Sequence, residues 1–238
     1  MLCTIVGFLL CAATELNLQL GSSKDLAKHT FAIDGLEGHV FLAPGVGAYV
    51  GKERPIGGVD PSVSGVDFKE IVLFEGPIDA AQKDRYRITF TTAPSMDPTF
   101  GFYRLDADGK ETEAGMIWGV NLAIPGDGTL WTSGHANNMF DAKRLFRIID
   151  GKVQEVKQPF LAVGLKSTTR KPIILFADKA QKQSLGTVPE GSEIEVLLAD
   201  ADDEKLFLMK SNAGIVGWVT VPSDQEDTTI AGMFYKGD

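Results

Sequence analysis

Large apolar and polar residues alternate from Arg85 to Thr91, with Tyr86, Ile88 and Phe90 interleaved with Arg85, Arg87, Thr89 and Thr91. A period of two places the three large residues on one face of a strand and the polar ones on the other. Shorter apolar runs at Glu37–Ala43 and Glu70–Glu75, set between Gly and Pro, predict further strands. Asp108-Gly109 and Asp150-Gly151 mark tight hairpins, because Asp-Gly supplies the positive φ angles of a type I′ turn. The second predicts that Ile148 faces Val153, on one side with Phe146. Asp127-Gly128 marks a third turn. Unequal spacing between these turns argues against a repeat. Residues 29–160 are expected to form a β-sandwich or irregular barrel, with Pro44–Gly65 as a long surface loop. No window keeps an apolar stripe at helical spacing over three turns. One helical turn is expected at Asp141–Leu145.

From Leu161 the rhythm changes to short strands at close spacing: Gly186–Val188, Glu193–Leu198, Leu206–Met209 and Ile215–Val219. Ile194 and Val196 alternate with Glu193 and Glu195, and the acidic stretch Asp200–Glu204 reads as a solvated tip. Strands this short and close suit a small closed barrel, which hides its sheet edges. The tail, 223–238, begins acidic and ends Ile230-Ala231-Gly232-Met233-Phe234-Tyr235. Its apolar residues are expected to dock as a strand or plug on the first domain.

Composition narrows the class. The 238 residues are 44% hydrophobic and 23% charged, which is ordinary for a globular chain of one large or two small domains. The 26 Gly and 11 Pro imply many turns and favour short strands. A formal charge of -9, with scattered Lys and Arg, points away from nucleic acid. Both cysteines, Cys3 and Cys11, fall in the first dozen residues, so the rest of the chain has no thiolate for catalysis or zinc. Leu2–Ala13 is uncharged, too short to span a bilayer, and fits the apolar part of a secretion signal, with small residues at Ala12 and Ala13. Residues 1–20 are read as signal peptide and leader, leaving no integral membrane segment after removal. Lipidation of Cys11 fits poorly with the bulky Phe8, Leu9 and Leu10 before it.

The order Leu185-Gly186-Thr187-Val188, Glu190-Gly191, Glu193-Ile194-Glu195-Val196-Leu197 and Gly217-Trp218-Val219 resembles the bacterial SH3 domain family over residues 161–222. The usual opening is replaced by Ile174-Leu175-Phe176-Ala177. The resemblance implies a small SH3-like β-barrel that targets or scaffolds an exported bacterial protein, periplasmic or at the cell surface. The whole chain is then all-β, a sandwich or irregular barrel followed by that small barrel and a tail.

Three histidines exist: His29, His39 and His135. His29 and His39 could meet across a hairpin, but a metal site would need a third ligand that the sequence does not supply. Asp106, Asp108 and Glu111 lack the spacing of a calcium loop and suit a hairpin turn. No Gly-x-Ser-x-Gly occurs, and Gly45–Lys52 departs from a phosphate loop at Val46 and Glu53. No cofactor or metal is expected. The ligand-binding candidates are Trp131, His135, Asn137, Asn138 and Asp141, on one segment after a strand, together with Trp218 of the barrel. Turn formation and capping by Asn and Asp, with Trp131 in the core, is the competing use of that segment. The expected function is an exported, non-catalytic binding protein for a cell-wall component, protein or peptide. The alternative is an exported hydrolase of cell-wall sugar or peptide, drawing paired carboxylates from Asp67, Glu70, Asp97 and Asp141.

Overall fold

The structure, a computed structural model, describes residues 25–56, 68–93 and 97–237. The leader with Cys3 and Cys11, and the carboxylate candidate Asp67, lie outside the described residues. The described residues are all-β, with 17 strands in three sheets and no helix. They divide into two compact units. The first runs to Ser133 and takes in Leu145–Val156, and the second is Gly134–Arg144 with Lys157 onward.

In the first unit, β1 (Ala27–Ile33) and β2 (Leu36–Leu42) form a hairpin. Five strands follow: β3 (Ala48–Pro55), β4 (Lys69–Pro77), β5 (Arg85–Thr91), β6 (Thr99–Leu105) and β7 (Glu111–Trp118). They make an antiparallel meander in sequence order. β8 (Asn121–Ile124) then returns to lie parallel against β2. The five-stranded sheet is therefore an insertion between two neighbouring strands of the other sheet. β9 (Thr129–Gly134), β10 (Ala142–Ile149) and β11 (Lys152–Glu155) complete that six-stranded sheet, in the order β1-β2-β8-β9-β10-β11. The inward faces share one core that includes Phe31, Val40, Phe74, Ile88, Phe90, Phe100, Phe102, Leu122 and Phe146. This is the sandwich alternative of the sequence reading.

The Asp150-Gly151 turn has positive φ at both residues, 51° and 75°, and pairs Ile148 with Val153 as predicted. Both pack on the core beside Phe146. A further Asp-Gly hairpin, Asp34-Gly35, joins β1 to β2 with φ of 51° and 80°, and alternation along the chain does not single it out. The Asp108-Gly109 turn differs from expectation. Only Gly109 has positive φ, and the Gly109 amide donates to the Asp106 carbonyl while the Asp106 carboxylate caps the Asp108 and Lys110 amides. The turn is built by Asp106, not by a type I′ pair.

Two further expectations are corrected. Pro44–Gly65 is not one loop, since β3 occupies 48–55, and its ladder is broken by a bulge between Tyr49 and Lys52 that hides the alternation. Asp141–Leu145 is not a helical turn, since β10 begins at Ala142. On β5, Tyr86, Ile88 and Phe90 are buried as expected, but so is Thr89 on the other face, next to Gly101.

The second unit holds one six-stranded sheet. Its strands are β12 (Phe160–Thr168), β13 (Ile173–Phe176), β14 (Ser184–Val188), β15 (Glu193–Asp200), β16 (Leu206–Ser211) and β17 (Val216–Thr220). Their order is β12-β15-β16-β17-β13-β14, and no ladder joins β12 to β14, so the sheet does not close into a barrel. Bulges at Ala162/Leu165, Leu175/Phe176 and Val196/Leu198 bend it around a core of Leu161, Leu175, Val196, Phe207, Met209 and Val219. The tail docks here, within the second unit. Ile230 and Met233 are fully buried in this core, and isolated bridges join Thr169 to Ile230 and Asn138 to Lys236. The tail does reach Asn138, which the sequence reading assigned to the first domain, but residues 134–144 belong to the second unit.

Candidate functional site

The segment 131–141 is held by turn chemistry. Trp131 is buried in the first unit, on the β9 face opposite Leu130 and outside the core cluster. The other four candidates fall in the second unit. His135 Nε2 lies 2.7 Å from the Phe234 carbonyl, with its ring against the Phe234 ring at 4.7 Å. With a carbonyl as partner, that nitrogen carries the proton. Asn137 adopts a φ of 51°, and its amide donates to the Lys236 carbonyl at 2.7 Å. Asn138 is buried. Its amide group donates to the carbonyls of Gly134 and Ala136, and its side-chain oxygen accepts from the Phe140 amide. Asp141 is exposed. His135, Asn137 and Asn138 thus form the seat of the tail.

The two histidines offered as metal ligands do not converge. Across the β1–β2 ladder His29 faces Val40 and His39 faces Thr30, so the two histidines point to opposite sides. His29 stacks on Tyr49 at 4.5 Å, and His39 lies 3.0 Å from Asn121 Oδ1. Among the described residues no three His, Cys, Asp or Glu side chains converge as metal ligands. Glu70 is buried and accepts from Arg54 Nε at 2.7 Å. Arg54 also donates to both oxygens of Glu111, at 2.6 and 3.2 Å. Glu111 accepts from Arg87 as well, and Arg87 and Arg85 donate to Glu75. These charges neutralise one another across the outer face of the five-stranded sheet, with Tyr103 beneath Arg54. A shallow groove of about 570 Å³ crosses β12, β15 and β16. There Lys166, Glu195 and Lys210 sit side by side in register, a cross-strand charge ladder.

Trp218 has different company. It lies on β17, opposite Leu208 on one side and Phe176 on the other, which fixes its backbone from both neighbours. Phe160, the first residue of β12, pairs directly with Asp200, the last of β15. The Phe160 and Trp218 rings are 5.8 Å apart and tilted by 33°. The Asp200 side chain is only 5% exposed, although the sequence reading placed it in a solvated acidic tip. One carboxylate oxygen accepts from the amides of Asp202 and Asp203 at 2.9 and 3.2 Å. The other pairs with the ammonium of Lys179. That ammonium is 4.4 Å from the centre of the Phe160 ring and 5.4 Å from that of Trp218. Burial pushes the Asp200 carboxyl up, but the Lys179 ammonium and the two backbone amides outweigh it and hold its pKa below the usual value. The result is two aromatic faces and a buried carboxylate converging on one cation. Of the sequence candidates, only Trp218 belongs to it. Phe160, Lys179 and Asp200 were missed because they come from three separate strands and loops, and no local spacing joins them.

No family model, no curated protein and no solved structure matches the chain.

Proposed function

We propose that this chain is an exported, non-catalytic binding protein whose second unit, similar to bacterial SH3 domains in its short motifs, carries the ligand site at Trp218. The observation that carries this reading is the convergence of Trp218, Phe160 and the buried Asp200 at sheet positions fixed by register. Aromatic faces beside a buried charge bind ligands through complementarity, without a nucleophile or a proton relay. The uncharged apolar run Leu2–Ala13, which has the character of a secretion signal, and the SH3-like motifs support an extracytoplasmic setting, in which the ligand is a cell-wall component or a peptide. Titration of the ¹⁵N-labelled chain with soluble cell-wall peptide fragments tests the reading. Saturable movement of the Trp218 indole resonance, with the Trp131 indole unmoved, is the expected result. A Trp218 resonance that ignores every fragment would overturn it. Export is tested separately by fractionating cells that express the full chain, where accumulation of an uncleaved cytosolic form contradicts it.

A further inference from the structure

The Trp218 site is composed of parts of unequal rigidity. Asp200, Phe160 and Trp218 are held by backbone ladders on β15, β12 and β17, the first two paired directly and the third beyond β16. Asp200 also spends one oxygen on two backbone amides, which aims the other at the aromatic pair. The cation comes from elsewhere. Lys179 sits at the tip of the β13–β14 hairpin, whose neck closes through the Ala177 amide on the Gln183 carbonyl at 2.9 Å. The Gln181 side chain ties the tip to Thr220 at 2.6 Å, so the backbone stays in place. The lysine side chain itself is 45% exposed. Four rotatable bonds let its ammonium leave for water without moving the hairpin.

Building on the binding function above, we propose that Lys179 is a displaceable occupant, and that the site recognises the primary or methylated ammonium group of an incoming peptide side chain. The chain's own ammonium marks the chemistry accepted there: a cation against two ring faces, with a carboxylate as counter-ion. Removing the lysine without supplying another cation leaves Asp200 buried and unpaired on one oxygen, which is costly. An external ammonium relieves that cost. Methylated ammonium gains most from the ring faces, because it is weakly hydrated and needs few hydrogen bonds. The tethered lysine competes at an effective concentration of the order of millimolar. It therefore suppresses weak ligands and admits those that add contacts beyond the ammonium.

The test follows the Trp218 indole resonance, assigned with Trp218→Phe, in the full chain and in Lys179→Ala. The probes are tetramethylammonium chloride, N-acetyl-lysine methylamide and the neutral disaccharide of N-acetylglucosamine, with sodium chloride at matched ionic strength. Both ammonium probes are expected to shift the resonance saturably in Lys179→Ala, with affinity at least about tenfold higher than in the native chain. Adding Asp200→Asn to that variant should abolish the shift. If Lys179→Ala does not fold, Lys179→Met keeps the aliphatic stem and serves in its place. Equal affinities in native and variant chains, or no saturable shift in a folded variant, would overturn the proposal. A shift with the disaccharide but not with the ammonium probes would overturn it while leaving the binding function standing. If those probes and the cell-wall peptide fragments all leave Trp218 unmoved, both readings fall.

Discussion

Arg54 and Glu111 sit on opposite edge strands of the five-stranded sheet, β3 and β7, yet Arg54 donates to both carboxylate oxygens at 2.6 and 3.2 Å. Four ladder spacings in a flat sheet would hold those strands about 19 Å apart, beyond the reach of an Arg and a Glu together. The sheet is therefore coiled, with two diagonal corners drawn together over its outer face. Bulges at Tyr49/Lys52, Val72/Phe74 and Phe102/Tyr103 supply the bend. The ion pairs are the outer clasp of that curvature, and the aromatic core its inner filling.

Glu111→Gln is expected to weaken the clasp and destabilise the first unit by about 1–3 kcal/mol at neutral pH, because Arg54 and Arg87 both lose their shared negative charge and one acceptor oxygen becomes a donor. The Arg54 hydrogen bond holds the Glu111 carboxyl below its ordinary 4.5, against partial burial that pushes it up, and Arg87 adds to the lowering. A carboxyl whose pKa is depressed by folding stabilises the native state above the unfolded value. That contribution is lost as pH falls from there through the folded value. Urea denaturation of the native chain should therefore weaken between pH 5 and pH 3 more steeply than that of Glu111→Gln. Parallel pH dependences would exclude the clasp as a stabilising element.

Gly35 and Gly38 separate two uses of glycine within one hairpin. Gly35 has φ of +80° and open space around it, so Gly35→Ala meets only the left-handed backbone cost of about 1–2 kcal/mol. Gly38 has no positive φ, but a Cβ there would overlap the Phe31 ring and the Val120 carbonyl. Gly38→Ala must shift core and backbone together, and is expected to cost about 3 kcal/mol, the upper end for an overpacked core. Gly35→Asn should recover part of the Gly35→Ala loss, since Asn tolerates the left-handed region, whereas Gly38→Asn should be no better than Gly38→Ala. Thermal melts of the four variants give the comparison, and equal losses at the two positions would contradict it.

What the sequence revealed and what it hid follow from the range of each signal. The Asp150-Gly151 hairpin and its Ile148–Val153 register were legible because a two-residue turn fixes everything within four residues of it. The strand at Glu193–Leu198 was legible from alternation, and Leu206–Met209 from a short apolar run between turns. β3 was not, because Gly51 and its bulge interrupt the period of two. The Trp218 site was half visible. Gly217-Trp218-Val219 stands out as a motif, but Asp200 looks solvated among Asp202, Asp203 and Glu204. Only the ladder to Phe160 shows that it is buried.

Asn138→Ala distinguishes a structural segment from a ligand loop. The Asn138 side chain satisfies two carbonyls and one amide while itself buried, and its neighbour Asn137 anchors the tail at Lys236. Its removal should destabilise the second unit by about 1–3 kcal/mol. His135→Ala should loosen the Phe234–Lys236 stretch as well, read as faster amide exchange at Lys236. If Asn138→Ala keeps full stability, the segment is free for another role.

Thr229 and Ile230 make opposite predictions from adjacent positions in the tail. Ile230 is 0% exposed and packs in the second unit's core, so Ile230→Ala should cost about 2–5 kcal/mol, the range for truncating a buried aliphatic side chain. Thr229 is 3% exposed, but among the described residues its hydroxyl has no hydrogen-bond partner. Desolvating that hydroxyl without a partner is unfavourable, and Val has the same branched shape without the polar atom. Thr229→Val is therefore expected to be neutral or to stabilise the second unit by up to about 1 kcal/mol, an unusual outcome for a polar residue this deeply placed. Both variants are measured by urea denaturation, with Thr229→Ser as a control that keeps the hydroxyl and loses the methyl. A loss in Thr229→Val as large as in Thr229→Ser would mean that the hydroxyl has a partner in solution. A loss near zero in Ile230→Ala would mean that the tail is peripheral to the core it enters.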